Sequence, residues 1–167
     1  MKVSVYRNPR VITWCCYFLL LASQAGAAAG EIPADSLITL TRHGCESHCA
    51  VYRVVFFGDG TVIYYGQYDV RRKGLILSHV DPEAFQKVVE SAKKIDYFHL
   101  ASAYGYHGTT GCEADIPGEP IVATSITVGG ESHGVIHHHR CSGPIPQQLT
   151  ELEDEIERAT QVAQFTN

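Results

Sequence analysis

The chain of 167 residues has little positive charge, and it lacks the motifs of the common nucleotide-binding and hydrolytic enzymes. It has 13 lysine and arginine residues against 18 aspartate and glutamate residues, so the basic surface typical of nucleic-acid-binding proteins is absent. No P-loop, dinucleotide fingerprint or serine-nucleophile elbow occurs. After residue 30, no apolar run approaches the ~20 residues needed to span a bilayer. We therefore expect no nucleic-acid partner and no cofactor, and we favour a binding or structural protein over an enzyme, which stays the alternative.

The first 29 residues have the order of a secretory signal peptide. Three basic residues precede an apolar segment over residues 11–22, and the small residues 25–29 supply cleavage patterns. We predict that the mature chain begins at Ala28 or Gly30. Cleavage would remove three basic residues and no acidic ones, which changes the formal net charge from −5 to −8. The alternative is an uncleaved membrane anchor, for which the apolar segment is short.

Beyond the signal peptide, the chain has the length of one ordinary domain. We predict four segments, listed here in order: a signal peptide at 1–29, a short N-terminal segment at 30–36, a single α+β domain at 37–162, and a C-terminal tail at 163–167. The domain is long enough to bury a core of its own, so disulfides would supplement that core.

Alternating apolar residues and turn signals predict two hairpins and a further pair of strands. The predicted strands are, in order, 36–42, 51–57, 61–65, 67–70, 75–78, 121–128 and 132–139. Asp59-Gly60 and Gly129-Gly130 are typical of tight hairpin turns. We expect the strands at 67–70 and 75–78 to pair with each other through the basic segment 71–74.

Two helices follow from capping signals and from apolar residues at helical spacing. Asp81-Pro82 predicts one start, because aspartate caps helices and proline is favoured at the first position. Pro146 predicts the other start, followed by an apolar stripe and by a solvated acidic side over residues 151–157. The predicted fold class is α+β, with a mostly antiparallel sheet and both helices packed on one face.

Four cysteines remain after the signal peptide: Cys45, Cys49, Cys112 and Cys141. In an exported protein, paired cysteines become disulfides. Four cysteines allow three pairings, which the sequence alone does not distinguish. We favour Cys45 with Cys49 and Cys112 with Cys141, because each pair closes an element that otherwise lacks an anchor.

The turn around Cys45 and Cys49 has three interpretations. The first is a structural disulfide that clamps the turn, which the export context favours. The second is a zinc or copper site that uses these thiolates with His43 or His48, although the spacing is not a usual zinc-ribbon spacing. The third is a redox-active pair, although exchange chemistry prefers two intervening residues at a helix start.

A run of histidines near the end of the last predicted strand is the second candidate metal site. On a strand, His133, His137 and His139 point to one face and His138 points to the other. A His-x-His pair on one face can hold zinc or copper. The competing interpretation is an exposed polar edge strand, which we favour because the sequence assures no acidic residue or third ligand nearby.

Two of these elements together carry a resemblance to a known family. Cys45, Cys49 and Tyr52 form a Cys-x-x-x-Cys-x-x-Tyr element, with Ala50 where proline is usual, and a Gly-Thr-Val hairpin turn follows at residues 59–62. In these elements the chain resembles a bacterial family known as domain of unknown function 6438.

The resemblance extends over residues 37–159. Its further elements are a Phe-x-x-Leu-like end at residues 98–100, a tyrosine at Tyr104, and a partly kept Thr-Asp-x-Pro element with Ala114, Asp115 and Pro117. The resemblance implies an exported bacterial protein with a one-domain fold, and it implies no activity.

Together these observations predict a periplasmic or secreted, disulfide-bonded binding or structural module of the bacterial envelope. Its partner is not identified by the sequence, and an envelope protein or a small ligand would both suit it. The alternative is a metal-binding or thiol-redox protein that uses the cysteine turn or the histidine face.

Overall fold

The structure, a computed structural model, describes residues 32–45, 48–105, 112, 120–139 and 141–166. These residues fall within one compact unit, Glu31–Asn167. The predicted signal peptide lies outside the described residues. So do Ala114, Asp115 and Pro117, which belong to the family resemblance.

A single sheet of seven strands organises the described part of the chain, in the order β4-β3-β2-β1-β6-β7-β5. The strands are β1 (Leu37–Arg42), β2 (Val51–Phe57), β3 (Thr61–Tyr68), β4 (Gly74–His79), β5 (Ala103–Tyr104), β6 (Ile121–Val128) and β7 (Glu131–His138). Neighbouring strands are antiparallel, except that β5 runs parallel to β7. The predicted α+β class with a mostly antiparallel sheet is confirmed.

One face of the sheet is buried and the other is open within the described part of the chain. On β2, Tyr52, Val54 and Phe56 are buried, whereas the residues between them are partly or fully exposed. This alternation follows from the two-residue period of a strand, which sends successive side chains to opposite faces. The buried face forms the core together with the apolar sides of two long helices.

Helix α1 (Pro82–Lys94) begins where its capping signal predicts. The Asp81 carboxylate accepts a hydrogen bond from the Glu83 amide at 2.9 Å, and Pro82 occupies the first turn. Phe85 is fully buried and meets the Phe56 ring edge-to-face, with 5.2 Å between ring centroids. After α1 comes a 3-10 helix, Tyr97–His99.

Helix α2 (Pro144–Thr160) begins two residues before the predicted start at Pro146. A short helix α3 (Ala163–Thr166) follows, in the segment predicted as a C-terminal tail. Its Phe165 packs on the Tyr64 ring at 5.0 Å between centroids. Within the described residues, no helix is long and apolar enough to cross a membrane.

The pairing predicted between residues 67–70 and 75–78 is wrong. Strand β3 continues to Tyr68, and β4 pairs with its first part, from Thr61 opposite His79 to Gly66 opposite Gly74. The basic segment therefore belongs to a longer connection that folds back, with the Arg72 amide donating to the Phe165 carbonyl at 2.9 Å. Local turn signals could not reveal this contact, because it depends on the C-terminal helix.

Two disulfides join Cys45 to Cys49 and Cys112 to Cys141. These are the two pairs favoured from the sequence. The first closes the connection between β1 and β2, and the second ties residue 112 to the segment before α2. In the loop-entropy account of cross-linking, the longer second loop constrains the unfolded chain more strongly than the first.

Candidate functional site

A cluster of two histidines and a glutamate lies buried between the sheet and helix α2. His137 is on β7, His139 follows directly after that strand, and Glu153 is on α2. The side chains of His137 and Glu153 are each only 1% exposed, and that of His139 is 17% exposed. Charged groups are almost never buried this deeply without partners, which makes the cluster the most unusual feature of the core.

Each oxygen of the Glu153 carboxylate contacts one imidazole ring. Oε1 lies 3.0 Å from Nδ1 of His137, and Oε2 lies 2.6 Å from Nε2 of His139. An ionised carboxylate only accepts hydrogen bonds, so both of these ring nitrogens act as donors. The second ring nitrogen of His137, Nε2, is buried and has no hydrogen-bond partner within the described residues.

These contacts keep Glu153 ionised. Burial by itself raises the pKa of the carboxyl group, but the hydrogen bonds and positive character of His137 and His139 outweigh it, so the pKa is lowered. Burial of this negative charge therefore depends on positive charge or donated protons from the two imidazoles.

A second polar group lies beside this cluster, one helical turn further along α2. The Glu157 carboxylate accepts hydrogen bonds from the Arg42 guanidinium and from the Tyr52 hydroxyl. Asp154 lies 3.7 Å from Arg42. Nη1 of Arg42 is 3.4 Å from Nε2 of His139, so the two groups lie side by side.

The charges of Arg42 and Glu157 also set the ionisation of their neighbours. Burial lowers the pKa of Arg42, but the hydrogen bond and the negative charge of Glu157 raise it by more than burial lowers it. Arg42 therefore stays charged. Burial raises the pKa of Tyr52, and the negative charge of Glu157 raises it again. Tyr52 therefore remains a neutral hydrogen-bond donor.

The other histidines named from the sequence do not join the cluster. His133 shares the face of His137, as its spacing predicts, but it packs against Tyr97 with 5.6 Å between ring centroids. The His48 side chain is 97% exposed and lies 3.7 Å from Asp69. Among the described residues, the only group of at least three side chains arranged to hold a metal is His137, His139 and Glu153.

The proposed first-turn metal site is not favoured by this arrangement. Cys45 and Cys49 are joined in a disulfide, so neither sulfur is a thiolate that could ligate a metal in this form. His43 uses its backbone amide to bond the Ile121 carbonyl at 2.9 Å and is not part of the metal-type group.

Two expectations from the sequence are wrong, one about the histidine strand and one about the acidic side of α2. β7 is flanked by β6 and β5, so it is not an exposed edge, and His137 is buried. The acidic side of α2 is not wholly solvated either, because Glu153 is buried. A sequence signal for this existed: Glu153 lies four residues after Leu149 and three before Ile156, which places it at the helical spacing of the apolar stripe.

A second candidate surface lies on the open face of the sheet. We call it the outer apolar patch, and its members are Val55, Ile63, Tyr65, Leu75 and Leu77. They are cross-strand neighbours, with Tyr65 opposite Leu75, Ile63 opposite Leu77, and Val55 opposite Ile63. Leu75 and Leu77 are 70% and 67% exposed, and Tyr65 is 46% exposed. Contiguous exposed apolar residues of this kind mark interaction surfaces.

Comparison with known proteins adds a family but no activity. No curated protein gives a significant match to the chain. The sequence profile described as "Domain of unknown function (DUF6438)" matches residues 36–160. That range holds all seven strands, α1, α2 and both polar groups described above. Because the match spans most of the sequence, the chain belongs to the family described as domain of unknown function DUF6438.

Proposed function

We propose that the chain is an exported, disulfide-bonded binding module of the bacterial envelope, and that it binds through the outer apolar patch. The observation that carries the proposal is the exposure of Leu75 and Leu77 beside Tyr65 on a sheet face that the two long helices leave open. The disulfides suit an oxidising compartment such as the periplasm or the cell exterior. The signal-peptide pattern of the first 29 residues suits the same location.

The position of β4 explains how a partner would attach. β4 stands at one end of the sheet order and pairs with β3 on one side. The far side of such a strand presents backbone N–H and C=O groups to another extended chain. An added strand would extend the sheet and bury Leu75 and Leu77 beside its own side chains.

The charges that flank β4 favour a second copy of this chain as the partner. Arg71, Arg72 and Lys73 precede the strand, whereas Asp81 and Glu83 follow it, and all five are exposed. In an antiparallel pair related by a two-fold axis, the start of each strand lies beside the end of the other. The basic segment of one copy then faces the acidic residues of its partner, twice per dimer.

A dimer of this kind would also join the two outer apolar patches. In the paired sheet, the open faces of both copies are continuous, so Leu75 and Leu77 of one copy adjoin those of its partner. These leucines would then bury apolar surface against one another, which favours the dimer.

Sedimentation velocity across a wide range of concentrations tests the proposal. We expect a monomer–dimer equilibrium, and we expect L75S/L77S to weaken it by at least about 100-fold because both side chains lose their apolar burial. The matched control is I136S, which removes an exposed apolar side chain from the same open face on β7, far from β4 in the strand order. A chain that stays monomeric throughout, or a dimer that L75S/L77S does not weaken, would contradict the proposal.

A charge exchange tests the orientation of the two copies. R71E and E83K should each weaken the dimer by roughly tenfold, because each replaces two attractions by two repulsions. The double variant R71E/E83K should recover most of that loss. Failure of the double variant to recover would exclude the antiparallel arrangement.

Export is tested separately by N-terminal sequencing of the protein recovered from the periplasm or the medium. We expect the mature chain to begin at Ala28 or Gly30. A chain that retains residues 1–22 would instead support a membrane anchor.

A further inference from the structure

We infer that His137, His139 and Glu153 form a binding site for one divalent metal ion of the zinc type. The ligand atoms that these three side chains offer all lie within 4.8 Å of one another. Two imidazole nitrogens and one carboxylate oxygen are a donor set that suits zinc, and three protein ligands leave a further position open. This site is separate from the outer apolar patch and does not depend on dimer formation.

The spacing of the donor atoms requires little rearrangement. Zinc bonds of about 2.0–2.1 Å in a tetrahedral shell place neighbouring ligand atoms roughly 3.3 Å apart. The carboxylate oxygens of Glu153 already lie 3.0 Å and 2.6 Å from the two ring nitrogens. A metal ion would therefore take the place of the two N–H hydrogens that face the carboxylate, and each neutral imidazole would carry its proton on its other ring nitrogen.

The charge balance around the cluster favours a divalent cation. Glu153, Asp154 and Glu157 carry three negative charges, and Arg42 carries one positive charge. With both histidines neutral, these four groups sum to two negative charges; the Glu153 side chain is fully buried, and that of Asp154 is 49% exposed. Arg42 lies 3.4 Å from His139, but Glu157 neutralises it directly, so the carboxylate of Glu153 remains the uncompensated charge. A divalent ion would balance the sum.

The surroundings of His139 provide a route for the ion. Its partly exposed ring borders a groove of about 650 Å³ whose other walls include Cys141, Pro146, Gln147 and Thr150. A water molecule or a small ligand in this groove could take the remaining coordination position. On the buried side, Nε2 of His137 has no hydrogen-bond partner within the described residues, so it is the nitrogen that would carry the ring proton when Nδ1 binds the ion.

Metal titration of the full-length protein, purified without a His-affinity step and stripped with a chelator, tests the inference. We expect one equivalent of Zn²⁺ per chain by calorimetry. We also expect Co²⁺ to give the visible absorption bands of a site with low coordination number. E153Q and H139Q should each weaken Zn²⁺ binding by at least about 100-fold, because each removes one of three protein ligands.

Two matched histidine variants distinguish this site from general binding to imidazoles. H133Q changes a residue on the same strand face outside the cluster, and H99Q changes a largely exposed histidine. Both should bind Zn²⁺ as the wild type does. Circular dichroism checks that each variant folds. If E153Q does not fold, H139Q still tests the site, because the His139 side chain is partly exposed and its replacement disturbs the core less. Binding that E153Q and H139Q retain, or the absence of stoichiometric binding in the wild type, would overturn the inference.

Discussion

The face of the sheet that α1 and α2 cover buries a glutamate and a histidine, whereas the open face exposes two leucines on β4. On the covered face, the unusual groups have partners: Glu153 contacts two histidines, and Glu157 contacts Arg42 and Tyr52. On the open face, Leu75 and Leu77 pair across the strands with Tyr65 and Ile63 of β3, and both leucines stay largely exposed among the described residues. The comparison teaches that the buried charges are satisfied within the domain, whereas the exposed leucines are the residues that we propose for contact with a second copy.

The largest difference between the two faces should appear in stability. F85A should lower the free energy of unfolding by about 3–5 kcal/mol, because Phe85 is fully buried against Phe56. L75S/L77S should change it by no more than about 0.5 kcal/mol per substitution when the chain is monomeric. Urea unfolding at low protein concentration measures both. Comparable losses in the two variants would show that the leucines belong to the core.

A smaller effect should follow from breaking the charge pair on the covered face. R42M leaves the Glu157 carboxylate and the Tyr52 hydroxyl without their cation, so we expect a loss of about 2 kcal/mol, reduced because the pair is partly exposed. R42M/E157Q should recover part of this loss, since it also removes the unpaired charge. The control R71M, measured like R42M at a protein concentration where the chain is monomeric, changes an exposed arginine and should be nearly neutral. A loss in R42M no greater than in R71M would contradict the account of this pair.

The smallest effect concerns pH. Burial raises the pKa of Tyr97 to about 12, so the folded state favours the neutral phenol. The resulting stabilisation is complete below the unfolded pKa of about 10 and is lost as pH rises through the folded pKa. Unfolding free energy should therefore fall above pH 10 in the wild type and fall less in Y97F. Parallel pH profiles for the two proteins would contradict a buried neutral Tyr97.

Signals confined to neighbouring residues were enough to predict much of the fold. The alternation in β2, the Asp81-Pro82 start of α1 and the glycine pair between β6 and β7 each specify a local conformation, and each is confirmed. Gly129 and Gly130 both have positive φ, which the turn requires. These features depend on backbone sterics and capping within a few residues, so tertiary contacts did not override them.

The candidate metal site could be predicted only in part. The strand period places His137 and His139 on one face, but their depth of burial depends on α2 and on the flanking strands. Glu153 was predicted to be solvated because acidic residues on a helix usually face water. Its place on the apolar stripe was readable from the sequence, but its pairing with β7 depends on how the helix packs across the sheet.

Amide hydrogen exchange at residues 74–79, compared at low and high protein concentration, tests the central claim most directly. We predict slower exchange of β4 amides at high concentration in the wild type, because pairing with a second copy protects the edge strand. Residues 121–128, in an interior strand, should exchange equally at both concentrations, and L75S/L77S should abolish the change in β4. Exchange of β4 that is independent of concentration in the wild type would contradict the claim that this edge binds a second copy.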